Sequence, residues 1–189
     1  MTLSWSFFLF AIALMSGLIW AKTQRLSFRA QTPEGYSETL PQADITQALN
    51  GPMDEEGMIF DFRSRMTSRF TARMDATWQG NKGVMDELFA YSTGREQTRQ
   101  WRINVRNDGT FTADADDIIG VAEGRQSGST IRMTYRIRLP EEAGGHVLDV
   151  IDWMYLVENG SILNRSEFRK FGIKVAELFA TFRPIQAKA

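Results

Sequence analysis

The chain has no cysteine and only one histidine. The first absence removes disulfides, thiol nucleophiles, Cys-ligated metals and a lipid-modified cysteine at the N-terminus. The second leaves His146 as the sole imidazole for a Ser-His-Asp set or a haem. His146 follows Glu141, Glu142, Ala143, Gly144 and Gly145, a turn-like stretch where a solvated role is expected. A strong excess of either charge is also missing. The formal net charge is −1, which argues against a nucleic-acid partner. No glycine-rich phosphate loop occurs in either the GxGxxG or the Walker spacing. Asp114, Asp116 and Asp117 lack the glycine and the distal glutamate of an EF-hand, so they read as a solvated strand end and no metal is expected. Internal repeats, low-complexity tracts and coiled-coil heptads are absent, and nothing points to a cofactor.

One long uncharged run is present. Leu3–Ala21 is rich in Phe, Leu, Ile and Trp and is about long enough to cross a bilayer as a helix. Trp5 and Trp20 stand near its ends, where interfacial aromatics belong. No Lys or Arg precedes the run, and Ile19-Trp20-Ala21 is a poor cleavage site, so an uncleaved anchor is expected over a signal peptide. Lys22, Arg25 and Arg29 follow it, and by charge alone these would keep the rest of the chain cytoplasmic. Thr23–Leu40 is polar with Pro33 and Gly35 and reads as a linker. Asp44 is a candidate N-cap for one or two helical turns that stop at Asn50-Gly51-Pro52.

From Met58 the apolar period becomes two. Phe70, Ala72, Met74, Ala76 and Trp78 alternate with polar residues, as do Trp101, Ile103 and Val105, and then Ile131, Met133, Tyr135, Ile137 and Leu139. Turn signals separate the runs at Gly80-Asn81, Ser92–Gly94, Asn107–Gly109, Gly124–Gly128, Gly144-Gly145, Asn159-Gly160 and Gly172. The reading is all-β: an antiparallel, up-and-down, lipocalin-like barrel of about 8–10 strands, with Ile173–Phe182 as the closing strand. The segments expected are an anchor helix over 1–22, a linker with a short helix over 23–50, the barrel over 51–184 and a tail over 185–189. Arg132, Arg136 and Arg138 on outer faces exclude a lipid-facing barrel wall.

The strongest hairpin signal is Val147–Gly172 around Asn159-Gly160, a dipeptide suited to a two-residue type I′ turn. Pairing Glu158 with Ser161 sets Tyr155 opposite Asn164, Trp153 opposite Ser166 and Ile151 opposite Phe168 on an inner face. Asp152 then meets Glu167 outside, an unfavourable like-charge pair unless Arg165 or Arg169 intervenes or a bulge moves the register by one. The inner face so built combines Trp78, Trp101, Tyr135, Trp153, Tyr155 and Phe168 with Asn164 and Ser166. Apolar walls with a few polar anchors are the composition of a small-molecule pocket. The candidate ligand-binding residues are therefore Trp101, Tyr135, Trp153, Tyr155, Asn164, Ser166 and Phe168.

Three stretches, Ala113–Gly124, Asp152–Leu156 and Leu163–Gly172, together resemble the bacterial family of domain of unknown function 3833, over about Asn50 to Pro184. Many members look like envelope lipoproteins, so the resemblance implies export and a periplasmic domain, against the charge rule above. The chain lacks their N-terminal cysteine, which leaves Leu3–Ala21 as its anchor. The resemblance implies no activity and no catalytic residue. Three functions are open. The first is a membrane-tethered barrel holding a lipid or other apolar small molecule. The second is an interaction protein with a filled core. The third is a cavity enzyme using Asp152, Glu167 or Tyr155, for which no base–nucleophile set is visible.

Overall fold

The computed structural model describes residues 2–185, so 186–189 of the expected tail lie outside the described residues. The chain forms two compact units, divided between Thr32 and Pro33. The first contains helix α1 (Thr2–Arg25), with Lys22 and Arg25 in its last turn, where cations offset the helix dipole. Its stretch Trp5–Lys22 is apolar enough and long enough to cross a membrane, as a signal sequence also can be. A 3-10 turn, Phe28–Ala30, follows.

The second unit is a closed barrel of ten antiparallel strands in up-and-down order. They are β1 (Gly51–Asp61), β2 (Met66–Gln79), β3 (Lys82–Tyr91), β4 (Glu96–Val105), β5 (Thr110–Asp114), β6 (Ala122–Ser127), β7 (Thr130–Arg138), β8 (Val147–Leu156), β9 (Ile162–Lys170) and β10 (Ile173–Pro184). β10 closes on β1, from Met53↔Pro184 to Asp61↔Ala176. Closure leaves no sheet edge. Strand parity sorts the side chains, and Phe70, Met74, Trp101, Ile103, Ile131 and Val150 are buried inside. Gly124 is not a turn residue as its context suggests. It lies in β6 opposite Phe111, whose ring occupies the space a Cβ would need.

One end of the barrel is plugged. Asp44 caps α2 (Ile45–Ala48), accepting from the Thr46 N–H at 2.9 Å. The plug is tied to the wall by the Ile45 N–H donating to Gln126 Oε1 (2.8 Å) and by Trp78 Nε1 donating to the Leu49 carbonyl (2.7 Å). Part of the expected linker also packs on the barrel. Tyr36, in the 3-10 turn Pro33–Tyr36, lies 5.3 Å from the Trp153 ring and 6.0 Å from the Tyr155 ring.

That contact exposes a correction in the β8–β9 hairpin. Its loop has three residues rather than two. The Gly160 N–H donates to the Val157 carbonyl (3.0 Å), the Val157 N–H donates to the Ser161 carbonyl (3.1 Å), and only Gly160 takes a left-handed φ, of 80°. This is a type I turn closed by a glycine bulge, so Asn159-Gly160 sits one position later in the turn than a type I′ loop would place it. The register moves by one, to Asp152↔Ser166, Trp153↔Arg165 and Tyr155↔Leu163. A one-residue shift exchanges the two faces. Asp152 therefore points inward, while Trp153 and Tyr155 point outward beneath Tyr36. The shift also separates Asp152 from Glu167, which pairs with Arg169 on the outer face.

Candidate functional site: the barrel cavity

The interior is not filled. It holds a cavity of about 280 Å³ whose lining runs from Ile45 and Leu49 at the plug to Tyr91, Arg95 and Pro140 at the other end. The volume is close to the lower end of small-molecule sites, on the order of 300 Å³ upward. Most of the wall is apolar, from side chains such as Met74, Met85, Phe111, Met133 and Met154.

A polar belt crosses this wall: Glu55, Glu87, Arg99, Asp117, Tyr135, Asp152, Asn164 and Ser166. Parity puts them there. Glu87 stands between inward Met85 and Phe89 on β3, and Arg99 stands two residues before Trp101 on β4. β5 and β6 are short. The segment after β5 completes the wall by donating the Ile119 N–H to the Arg136 carbonyl and accepting the Arg138 N–H at the Asp117 carbonyl, both at 2.8 Å. This aims Asp117 at Arg99, whose Nε and Nη2 donate to Asp117 Oδ2 at 3.0 and 2.8 Å. Arg99 Nη1 is 3.7 Å from Glu87 Oε2, beyond hydrogen-bond range. Glu87 Oε2 and Asp117 Oδ1 are buried acceptors without a hydrogen bond. On the opposite wall Asn164 Nδ2 (2.5 Å) and Ser166 Oγ (2.8 Å) both donate to Asp152 Oδ1.

The belt has more acceptors than donors, and burial dominates its electrostatics. Burial, then the neighbouring Glu87 and Asp152, pushes the Glu55 carboxyl well above the usual range. Burial lifts Glu87 to about 7 although Arg99 opposes it. Burial also raises Asp152, against the hydrogen bonds from Asn164 and Ser166. The Tyr135 hydroxyl is pushed well up by burial and by Asp152. Burial alone would pull the Arg99 guanidinium down, but Glu87 and Asp117 hold it above its ordinary value.

Of the residues read from sequence, Trp101, Tyr135, Asn164, Ser166 and Phe168 line the cavity. The Trp101 and Tyr135 rings meet edge to face, 5.6 Å apart. Trp153 and Tyr155 do not join them. They stack on each other at 6.0 Å on the outer face, and Trp153 is fully buried there. Trp78 turns inward but serves the plug. Asp117 is a belt residue and not a solvated strand end. Glu55, Glu87 and Arg99 do not stand out in the sequence, because a charge on a strand is ordinarily read as outward, although their parity matches that of their apolar neighbours. His146 lies outside the cavity wall, its Nδ1 3.1 Å from Lys170 Nζ. Among the described residues no three His, Asp or Glu side chains are grouped to hold a metal.

The fold and cavity define a lipocalin-like closed barrel with an acidic belt inside. The whole barrel resembles an S-type phycobiliprotein lyase, CPES from Guillardia theta, with a TM-score of 0.58 and 7% identity over 84% of this chain and 99% of that one. A redesigned β-barrel, mFAP0, bound to DFHBI, matches with a TM-score of 0.42 and 14% identity over 73% of this chain and 100% of that one. The chain belongs to the family described as protein of unknown function (DUF3833), whose model matches residues 24–184. No curated protein matches it in sequence.

Proposed function

We propose that this protein is a membrane-tethered binding module, held by α1, that takes a small, mostly apolar molecule into the barrel. Its side of the membrane is read as periplasmic, from the family resemblance to envelope proteins. The observation that carries the proposal is the open interior with a polar belt partway along an apolar wall. The belt also specifies the ligand's polar group. Arg99 is already engaged by Asp117, while buried acceptors on Glu87 and Asp117 have no donor. A buried polar group without a partner costs about 1–3 kcal/mol, so the site favours a ligand that brings a donor: a hydroxyl, an amide or an ammonium. A carboxylate would meet an excess of acidic groups.

Ten-carbon probes differing only at the head test this. The full chain in lipid nanodiscs is equilibrated with decanol, decylamine or decanoate at pH 8, and retained probe is measured by mass spectrometry. Decanol and decylamine are expected to be retained at least about tenfold better than decanoate, a difference worth roughly 1.4 kcal/mol. Ala113→Trp, which fills the cavity, is expected to abolish the retention. Equal or better retention of decanoate, or retention unaffected by the filled cavity, contradicts the proposal.

A further inference from the structure

The unplugged end of the barrel carries side chains that the fold does not need. Ile173, Lys174 and Val175 lie beyond Ala176, the first β10 residue with a β1 partner. The β9–β10 hairpin therefore overhangs β1 by about 10 Å at the usual rise of a strand. Its turn is Phe171-Gly172, with left-handed φ values of 52° and 77°. That is a type I′ turn, which asks for Asn or Gly at both positions. Phe171 is instead a non-glycine ring in a disfavoured conformation, 91% exposed, with Ile173 beside it 69% exposed. Neither the backbone nor the core accounts for it.

The neighbouring β1–β2 loop repeats the pattern. Phe62 is 62% exposed, and the Arg63 guanidinium lies 4.9 Å from its ring. Lys170 Nζ lies 5.8 Å from the Phe171 ring. Arg65 adds a third cation to the same rim. An exposed apolar band continues down the outer wall through Met58 and Phe179. Acidic residues also stand at this end: Glu141 and Glu142 in the β7–β8 connection beside this hairpin, Asp116 in the β5–β6 connection, and Asp61 at the end of β1, which accepts the Arg63 and Arg65 N–H groups. The exposed aromatics of this end, Phe62 and Phe171, nonetheless gather with Arg63, Arg65 and Lys170 on the two adjacent hairpins β1–β2 and β9–β10.

Exposed aromatics beside cations suit the headgroup region of a bilayer, where the ring enters the interface and the cation meets anionic lipid. The same chain supplies a helix long and apolar enough to cross that bilayer. We infer that the half-rim of Phe62, Arg63, Lys170 and Phe171 docks on an anionic lipid surface, which sets the cavity mouth against the membrane. The inference stands on the rim and does not depend on the ligand proposed above.

The lack of cysteine allows clean single-cysteine reporters. Ser64→Cys, in the β1–β2 loop, and Asn159→Cys, at the plugged end, are labelled with bimane in the full chain. Each is placed in nanodiscs of phosphatidylcholine mixed with phosphatidylglycerol and containing a doxyl-lipid quencher. Quenching at Ser64→Cys is expected to exceed that at Asn159→Cys several-fold. The excess is expected to shrink in phosphatidylcholine alone and when Phe171→Asn is added. That variant gives the turn its preferred Asn-Gly pair, so its loss of quenching cannot be assigned to misfolding. Equal quenching at the two ends, or an excess untouched by Phe171→Asn, overturns the inference. So does a Ser64→Cys signal in detergent that depends on protein concentration, which would make a second copy of the chain the occupant.

Discussion

Glu87 is a carboxylic acid carried into an apolar wall without a full partner, and its energetic consequence is a dependence on pH. Its carboxyl rises from an ordinary 4.5 to about 7 in the folded barrel. Between those values the folded state binds more protons than the unfolded chain, so stability falls as pH rises through the window and levels off above it. The full span corresponds to about 3 kcal/mol at most. Glu55 and Asp152 are raised by burial and act in the same direction. Thermal melts of the barrel are therefore expected to peak at mildly acidic pH and decline toward pH 8. Glu87→Gln should flatten the decline by removing one titrating group. A melting point that climbs from pH 5 to pH 8, or a Gln variant as pH-dependent as the parent, would count against a buried, underpaired Glu87.

At the scale of elements, the β8–β9 hairpin decides which side chains reach the cavity. Trp153 is covered on the outside, and its cover is the Pro33–Tyr36 turn rather than another strand. Tyr36→Ala should uncover the indole and cost about 1–2 kcal/mol, less than the loss of a core aromatic because Tyr36 is itself only half-buried. Tryptophan emission should shift to the red while quenching from the cavity side stays unchanged. No shift would mean that the linker does not cover Trp153.

The same hairpin marks where the sequence stops being legible. Alternation alone places Phe70, Trp101, Tyr135 and the closing strand β10 correctly, because one wet face and one dry face leave little choice of register. Asn159-Gly160 identifies the turn but not its length. Asn-Gly fits both a two-residue loop and the last two positions of a three-residue loop, and the difference of one residue exchanges Trp153 for Asp152 inside the barrel. Composition favoured the wrong face, since aromatics belong inside and carboxylates outside in most strands. The observed register wins because it separates Asp152 from Glu167 and gives Asp152 two hydrogen bonds from Asn164 and Ser166. The belt was hidden for the same reason. Glu87 and Arg99 have the parity of their buried neighbours, and only the space around them shows that charge is kept inside.

At the scale of the whole molecule, the barrel is closed at one end among the described residues. The plug of Ile45 and Leu49 and its hydrogen bonds to Gln126 and Trp78 close one end. The wall is continuous because β10 pairs with β1. The cavity reaches the loops around Arg95 and Pro140 at the other end, the end whose rim carries Phe62 and Phe171. Small closed barrels of this kind have room for one small ligand. The family model says nothing of which ligand.

Native mass spectrometry of the full chain, purified from its own host in a mild detergent and paired with lipid extraction, tests occupancy of the cavity directly. A mass excess from one small, largely apolar molecule, present in the parent and absent from Ala113→Trp, is the expected result. A parent barrel that is empty in repeated gentle preparations, or a bound molecule that survives Ala113→Trp, would contradict a ligand-holding cavity and move the search to the outer wall.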